Sequence, residues 1–210
     1  METTSLQNRD SNILEILNIV SPNLDQEDRI YLNGGISWEK YNLILKQLTD
    51  CFHYRLSYLE STLQIMSPGR NHEKLKEYIS GLLEAYFQEA EIDYYPLGST
   101  TFKSQNNQAG KEPDSCYCIE TEKKFPDLAI EVIFSSGGLD VLEIYKALEI
   151  KEVWLWKKGE LKIYCLAQGY YTENKNSKLL PNLDIELFKT YLSQPNLRLA
   201  IKEFKKQINN

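Results

Sequence analysis

The sequence predicts a layered α/β or α+β domain in which helices pack against a mixed central β-sheet, and three observations carry that expectation. Residues 71–90 place Leu75, Tyr78, Ile79, Leu82, Leu83, Tyr86 and Phe87 at helical spacing, so one long amphipathic helix must lay its apolar stripe on another layer. Short strand-like runs follow one another at 92–98, 99–104, 116–119 and 127–134. The order strand, helix, strand over 127–156 then asks for a βαβ crossover, and with it a parallel pair inside the sheet.

Taken in chain order, residues 1–28 are polar apart from an apolar island at 13–20, and Pro22-Asn23 breaks any helix there. They read as a loosely attached tail ahead of a single domain over 29–210. Residues 37–48 open with Ser37, carry Glu39 and continue with apolar residues at helical spacing, as a capped helix does. In 54–68, Leu56 and Tyr58, then Leu63 and Ile65, alternate with polar neighbours around Glu60-Ser61-Thr62, which reads as a β-hairpin. The long helix comes after Pro68-Gly69, and the strand runs follow it. A helix over 139–150 is entered through Ser135-Ser136-Gly137-Gly138, and a strand at 153–156 turns at Lys157-Lys158-Gly159 into another at 161–167. Residues 184–208 read as one or two helices with Pro195 as the break.

Composition narrows the function classes. The 210 residues hold 30 acidic and 24 basic side chains, a formal net charge of −6, so no global positive field exists to hold nucleic acid non-specifically, and a basic-tail coat protein is excluded. With 42% hydrophobic residues the chain can bury a core without disulfides, and cysteines at 51, 116, 118 and 165 read as reduced thiols, Cys116 and Cys118 as small apolar strand residues rather than a zinc pair. No run of about 18 apolar residues occurs, and METTSLQNRDSN lacks a secretory layout, so a cytoplasmic protein without a membrane span is expected. Trp154 and Trp156 share a parity and read as core residues, with a partner surface as the alternative. Lys202, Lys205 and Lys206 make a basic end that suits a helix C-terminus at least as well as a DNA contact.

Glu131 is the informative residue. It interrupts Leu128, Ala129, Ile130, Val132, Ile133 and Phe134, a run apolar on both parities and hence buried on both faces, where an ionised carboxylate is costly unless paired or metal-bound. Asp114 follows Pro113 at the mouth of the preceding strand, and adjacent strands would bring the two carboxylates together. Two or three hard oxygen ligands plus waters are what Mg²⁺ accepts. The competing reading makes Asp114 a turn residue and Glu131 a core charge balanced by a buried basic partner.

The succession YLESTLQIMSPGRNHE, LGSTTFK, EPDSCYCI, PDLAIEVIFSSGGLDVLEIYKALEIKEVWLW and FKTYLSQPNLRLAIKEFKKQI resembles the Uma-type restriction-endonuclease family, abundant in cyanobacteria, from about residue 30 onwards. The resemblance implies a PD-(D/E)XK nuclease fold, with a helix before a mixed sheet and two carboxylates binding Mg²⁺ or Mn²⁺. It implies Asp114 as the first metal ligand, Glu131 as the second, and His72 and Glu73 near the site. Helical phase separates the last two, since His72 shares the face of Leu75 and Ile79 while Glu73 points away. The resemblance also implies a lysine two residues after the second carboxylate or on the following helix, but Ile133 and Val141 stand there. Lys146 lies about 140° around the helix from Val141. Lys103, on the strand expected beside the first carboxylate strand, is then the remaining catalytic lysine. Two functions follow: a metal-dependent endonuclease hydrolysing DNA, with His72 or Lys103 assisting, or a degenerate nuclease fold that binds DNA or protein. A two-fold homodimer is expected, since many nucleases of this fold cut duplexes in pairs.

Overall fold

The structure is a computed structural model that describes residues 29–48, 54–134 and 138–209. The predicted tail over 1–28, Cys51 and most of the 135–138 loop therefore lie outside the described residues. The elements are β1 (Arg29–Asn33), α1 (Trp38–Gln47), β2 (Arg55–Leu59), β3 (Thr62–Ser67), α2 (Arg70–Glu89), β4 (Tyr94–Pro96), β5 (Phe102–Ser104), β6 (Ala109–Lys111), β7 (Ser115–Ile119) and β8 (Leu128–Ile133). Then come α3 (Val141–Ala147), β9 (Glu152–Lys157), β10 (Glu160–Ala167), β11 (Tyr170–Asn174), α4 (Ile185–Leu192) and α5 (Leu197–Ile208).

Local chemistry explains the boundaries. The Ser37 side chain accepts the Lys40 N–H at 3.2 Å, Asp184 accepts that of Leu187 at 2.9 Å and Asn196 that of Leu199 at 3.1 Å, each starting a helix. Glu60 and Ser61, at φ 43° and 71°, make the left-handed two-residue turn that suits the twist of the β2–β3 hairpin. Pro195 falls between α4 and α5, where a missing N–H and a fixed φ end helical pairing.

The strands form two sheets rather than one central sheet. A five-stranded antiparallel sheet runs β1-β3-β2-β6-β5, and a six-stranded mixed sheet runs β11-β10-β9-β8-β7-β4. Its one parallel pair, β8 and β9, is bridged by α3, which is the predicted crossover. On one face of the mixed sheet Leu128, Ile130, Val132 and Trp154 pack with α2, α4 and α5 through Ile79, Leu82, Phe87, Phe188 and Phe204. On the other face Ala129, Val153 and Leu155 meet α3 and the first sheet through Val141, Ile144, Tyr145, Phe102 and Ala109. β8 is thus buried on both faces, as the apolar residues on both sides of Glu131 and on both parities imply.

Trp154 is fully buried against Phe188 on a strand flanked by β8 and β10, and Trp156 packs against the same core, so the two tryptophans are core residues rather than a partner surface. Lys205 pairs with Glu89 at 2.8 Å and Lys206 with Glu203 at 2.9 Å, so much of the basic end of α5 is balanced by acids. No described helix is long and apolar enough to cross a membrane.

Gly110 fixes which way β6 presents its side chains. A Cβ there would lie 2.3 Å from Tyr41 Oη, because the Tyr41 ring, stacked on Tyr58 at 4.6 Å, rests directly on the β6 backbone. With α1 covering that face, the next residue, Lys111, must project to the opposite one. Gly110→Ala is expected to cost about 2–3 kcal/mol through overpacking of a buried ring against backbone. A urea midpoint unchanged from wild type would show that the ring moves freely.

Candidate functional site

The two sheets are joined by a very short link. Lys111 ends β6, Glu112 and Pro113 cross the gap, and Asp114 stands immediately before β7. Glu112 ties the crossing down: its backbone N–H donates to Leu56 O at 3.1 Å, its Oε2 accepts the Leu56 N–H at 3.1 Å, and its Oε1 accepts Thr101 Oγ1 at 2.8 Å. A lysine and an aspartate are thereby held at a fixed separation on either side of the sheet junction.

β7 pairs with β8 in the register Ser115↔Ile130, and one further step brings Asp114 opposite Glu131. The link is closed by the Val132 N–H, which donates to Asp114 Oδ2 at 2.8 Å. Both carboxylates are 3% exposed. His72, at the opening of α2, is buried with Nε2 3.1 Å from the same Asp114 Oδ2. Lys111 brings Nζ to 3.1 Å from Glu131 Oε2 and also donates to Glu112 O at 3.2 Å, while the Tyr145 hydroxyl of α3 donates to Glu131 Oε1. Five side chains from α2, β6, the sheet link, β8 and α3 thus converge on one buried cluster.

The two acids experience different fields. Burial pushes Glu131 up to about 7, with the Asp114 charge adding to the rise, while Lys111 and the Tyr145 bond oppose it. Asp114 meets the same burial, but His72, Lys111 and the Val132 N–H outweigh it and hold the carboxyl below its ordinary value. Burial and the neighbouring Glu131 push Tyr145 far up, so it stays a hydroxyl donor. Glu73 lies at the rim with 38% of its side chain exposed, its Oε1 3.6 Å from His72 Nδ1 and its other oxygen bonded by Lys76. The neighbouring His72 first, and Lys76 after it, hold Glu73 down to about 2.

Of the residues singled out in the sequence, Asp114, Glu131 and His72 are brought together, and Glu73 touches the cluster only through His72. Lys103 is not brought there. It sits opposite Gly110 on the α1 face of the sheet and donates to Asn42 Oδ1 at 2.8 Å, and its strand pairs with β6 rather than with the carboxylate strand β7. Lys103 is therefore withdrawn as a catalytic residue, because strand alternation turns it away from the face that Lys111 occupies. Val141 does lie on the buried stripe with Tyr145 and Leu148, and Lys146 pairs with Glu143 at the surface.

Sequence reasoning missed Lys111 and Tyr145. Lys111 precedes the Pro-Asp step by only two residues, but the three-residue strand Ala109–Lys111 carries no alternation that would mark it as buried. The available signal was the requirement that Glu131 find a buried basic partner.

A divalent cation fits the donor set. Among the described residues no group hydrogen-bonds to the buried Asp114 Oδ1. The other deeply buried acids are saturated: Glu152 accepts from Trp154 Nε1, Ser177 Oγ and the Lys178 N–H at 2.6–2.8 Å, and Asp127 from Lys151, Lys123 and the Ile119 N–H. An unsatisfied hard oxygen beside a second carboxylate suits Mg²⁺, which binds through one or two carboxylates and keeps waters. Among the described residues no group of three or more His, Cys, Asp or Glu is placed to hold a metal ion, so an ion here would rest on the two carboxylates and on waters.

An α+β domain with a helix ahead of a mixed sheet, and an Asp-Glu pair on neighbouring strands at the sheet junction, is the architecture of a restriction-endonuclease-like protein. The Uma2 family model, described as "Putative restriction endonuclease", matches residues 38–198, and the chain belongs to that family. No curated protein matches it.

The Glu131 value has a measurable consequence. Its carboxyl ordinarily titrates at 4.5 and in the folded chain at about 7, so between those values the folded state keeps a proton that the unfolded state has released. Stability from this group is complete below about pH 4.5 and is lost as pH rises to about 7. Relative to Lys111→Met/Glu131→Gln, which carries neither charge, the wild-type chain should lose urea stability across that interval and little beyond it. A pH-independent difference would contradict the raised value.

Proposed function

We propose that this chain is a metal-dependent endonuclease that hydrolyses DNA phosphodiester bonds at the Asp114–Glu131 pair. The observation that carries this reading is the unsatisfied, buried Asp114 Oδ1 beside a second carboxylate, in a chain of the Uma2 family. Asp114 and Glu131 would hold Mg²⁺ or Mn²⁺, which acidifies a bound water and polarises the phosphate when present. Around it the protein's own groups do the positioning. His72 and the Val132 N–H fix Asp114 Oδ2, which leaves Oδ1 as the oxygen open to a ligand. Lys111 and Tyr145 fix the two oxygens of Glu131. Hydrolysis consumes one water: its oxygen bonds to phosphorus as the bond to a sugar oxygen breaks, one proton ends on that leaving oxygen, and the other passes to solvent. With a net charge of −6 the chain must meet DNA through a local surface, and Arg70 and Lys74 are exposed cations two residues on either side of His72 at the start of α2.

One observation favours the second reading, a fold retained to bind DNA or protein: Asp114, Glu131, His72 and Lys111 are all buried, so a phosphate reaches them only if covering elements move. Supercoiled plasmid incubated with the wild-type chain and Mg²⁺ or Mn²⁺ decides between them. The nuclease reading expects nicking that chelator abolishes and that Asp114→Asn slows at least roughly a hundredfold. Plasmid retarded by both proteins but cut by neither would contradict it and support the binding module.

A further inference from the structure

We infer that Lys111 is the ammonium that works beside Glu131 on the scissile phosphate, reaching the site from β6 across the sheet junction; this rests on the nuclease reading. Three observations carry it. Its Nζ lies 3.1 Å from Glu131 Oε2 and a few residues of fixed backbone from Asp114, so it borders the donor set without being a metal ligand. Its side chain is 4% exposed, which puts an amine that water ordinarily hydrates strongly inside the protein. A counter-ion alone is a poor reason to retain such a pair, since packed apolar residues usually serve a core as well or better. Finally, Gly110 and the Tyr41 ring commit β6 to projecting this lysine into the cluster rather than toward α1.

Helix α3 explains why no second lysine is needed. Tyr145 reaches Glu131 from the buried stripe of α3, and Val141 lies one turn earlier on that stripe. A lysine at 141 would approach the carboxylate that Lys111 already serves. The two routes are alternatives, because two ammonium groups on one buried carboxylate repel each other and leave one unpaired. Val141 is thus the residue that accommodates a lysine arriving from β6. In the reaction Lys111 acts by position: its ammonium faces the charge that grows on the phosphoryl oxygens as the water oxygen bonds to phosphorus and the sugar oxygen leaves.

The test compares wild type with Lys111→Gln, Val141→Lys and Lys111→Ala/Val141→Lys. Plasmid nicking, Mn²⁺ binding followed by electron paramagnetic resonance, and thermal unfolding without metal are read on each. Lys111→Gln is expected to nick at least roughly a hundredfold more slowly while binding Mn²⁺ as well as wild type or better. Val141→Lys alone gains no activity, and the double variant recovers at least roughly tenfold over Lys111→Ala. A merely structural lysine would leave Lys111→Gln less stable but as active as wild type below its unfolding range, and that result overturns the inference. So does a Val141→Lys protein that nicks several-fold faster with Lys111 in place, a comparison that stands even if every variant lacking Lys111 fails to fold. Wild type that neither nicks DNA nor binds Mn²⁺ refutes the nuclease reading itself and takes this inference with it, whereas nicking that survives Lys111→Gln removes only the role of the lysine.

Discussion

A carboxylate in the middle of a strand buried on both faces is the constraint on which this structure turns. Glu131 cannot reach solvent, and an uncompensated charge there would cost several kcal/mol. Its compensation comes from two elements remote in sequence, Lys111 at the end of β6 and Tyr145 on the crossover helix α3. For both to arrive, the five-stranded sheet must lie against the same face of β8 that α3 covers. The short link from Lys111 to Asp114, pinned by Glu112 to β2, holds that arrangement. Anchoring the junction and building the site are therefore one task.

The same geometry separates the behaviour of two otherwise similar acids. Asp114 receives His72, a backbone N–H and the field of Lys111, which hold its carboxyl below the ordinary value. Glu131 is equally buried, with only Lys111 and the Tyr145 hydroxyl to oppose the cost, and titrates at about 7. The two neighbouring carboxylates are thus driven apart in opposite directions by their own partners rather than by a difference in burial. Glu152 and Asp127 show the contrast, since each buried carboxylate there is saturated with donors and serves to lock strand ends and loops.

Much of this was legible in the sequence where burial leaves a pattern. The apolar run around Glu131 announced a strand covered on both sides, and the stripe of 71–90 announced α2 and placed His72 on its inward face. The Glu60-Ser61 turn and the Pro195 break were equally direct. What escaped notice were elements whose residues do not show their environment. β11 is a polar, largely exposed edge strand, and β6 is three residues long with a glycine whose purpose is a tyrosine ring contributed by α1. Lys103 and Lys111 look alike as exposed lysines in a sequence. Only the pairing of β5 with β6 reveals that one faces α1 and the other Glu131. The pairing of distant strands, rather than any local propensity, decides which lysine belongs to the site.

The most direct test of the account is where a metal ion binds. Crystals of the wild-type chain soaked in Mn²⁺ should give an anomalous difference peak in contact with Asp114 Oδ1 and adjacent to Glu131, with His72 still on Asp114 Oδ2. A peak elsewhere, or none at Mn²⁺ concentrations in the millimolar range typical of such soaks, would show that this buried cluster is an internal charge network and not a metal-dependent active site.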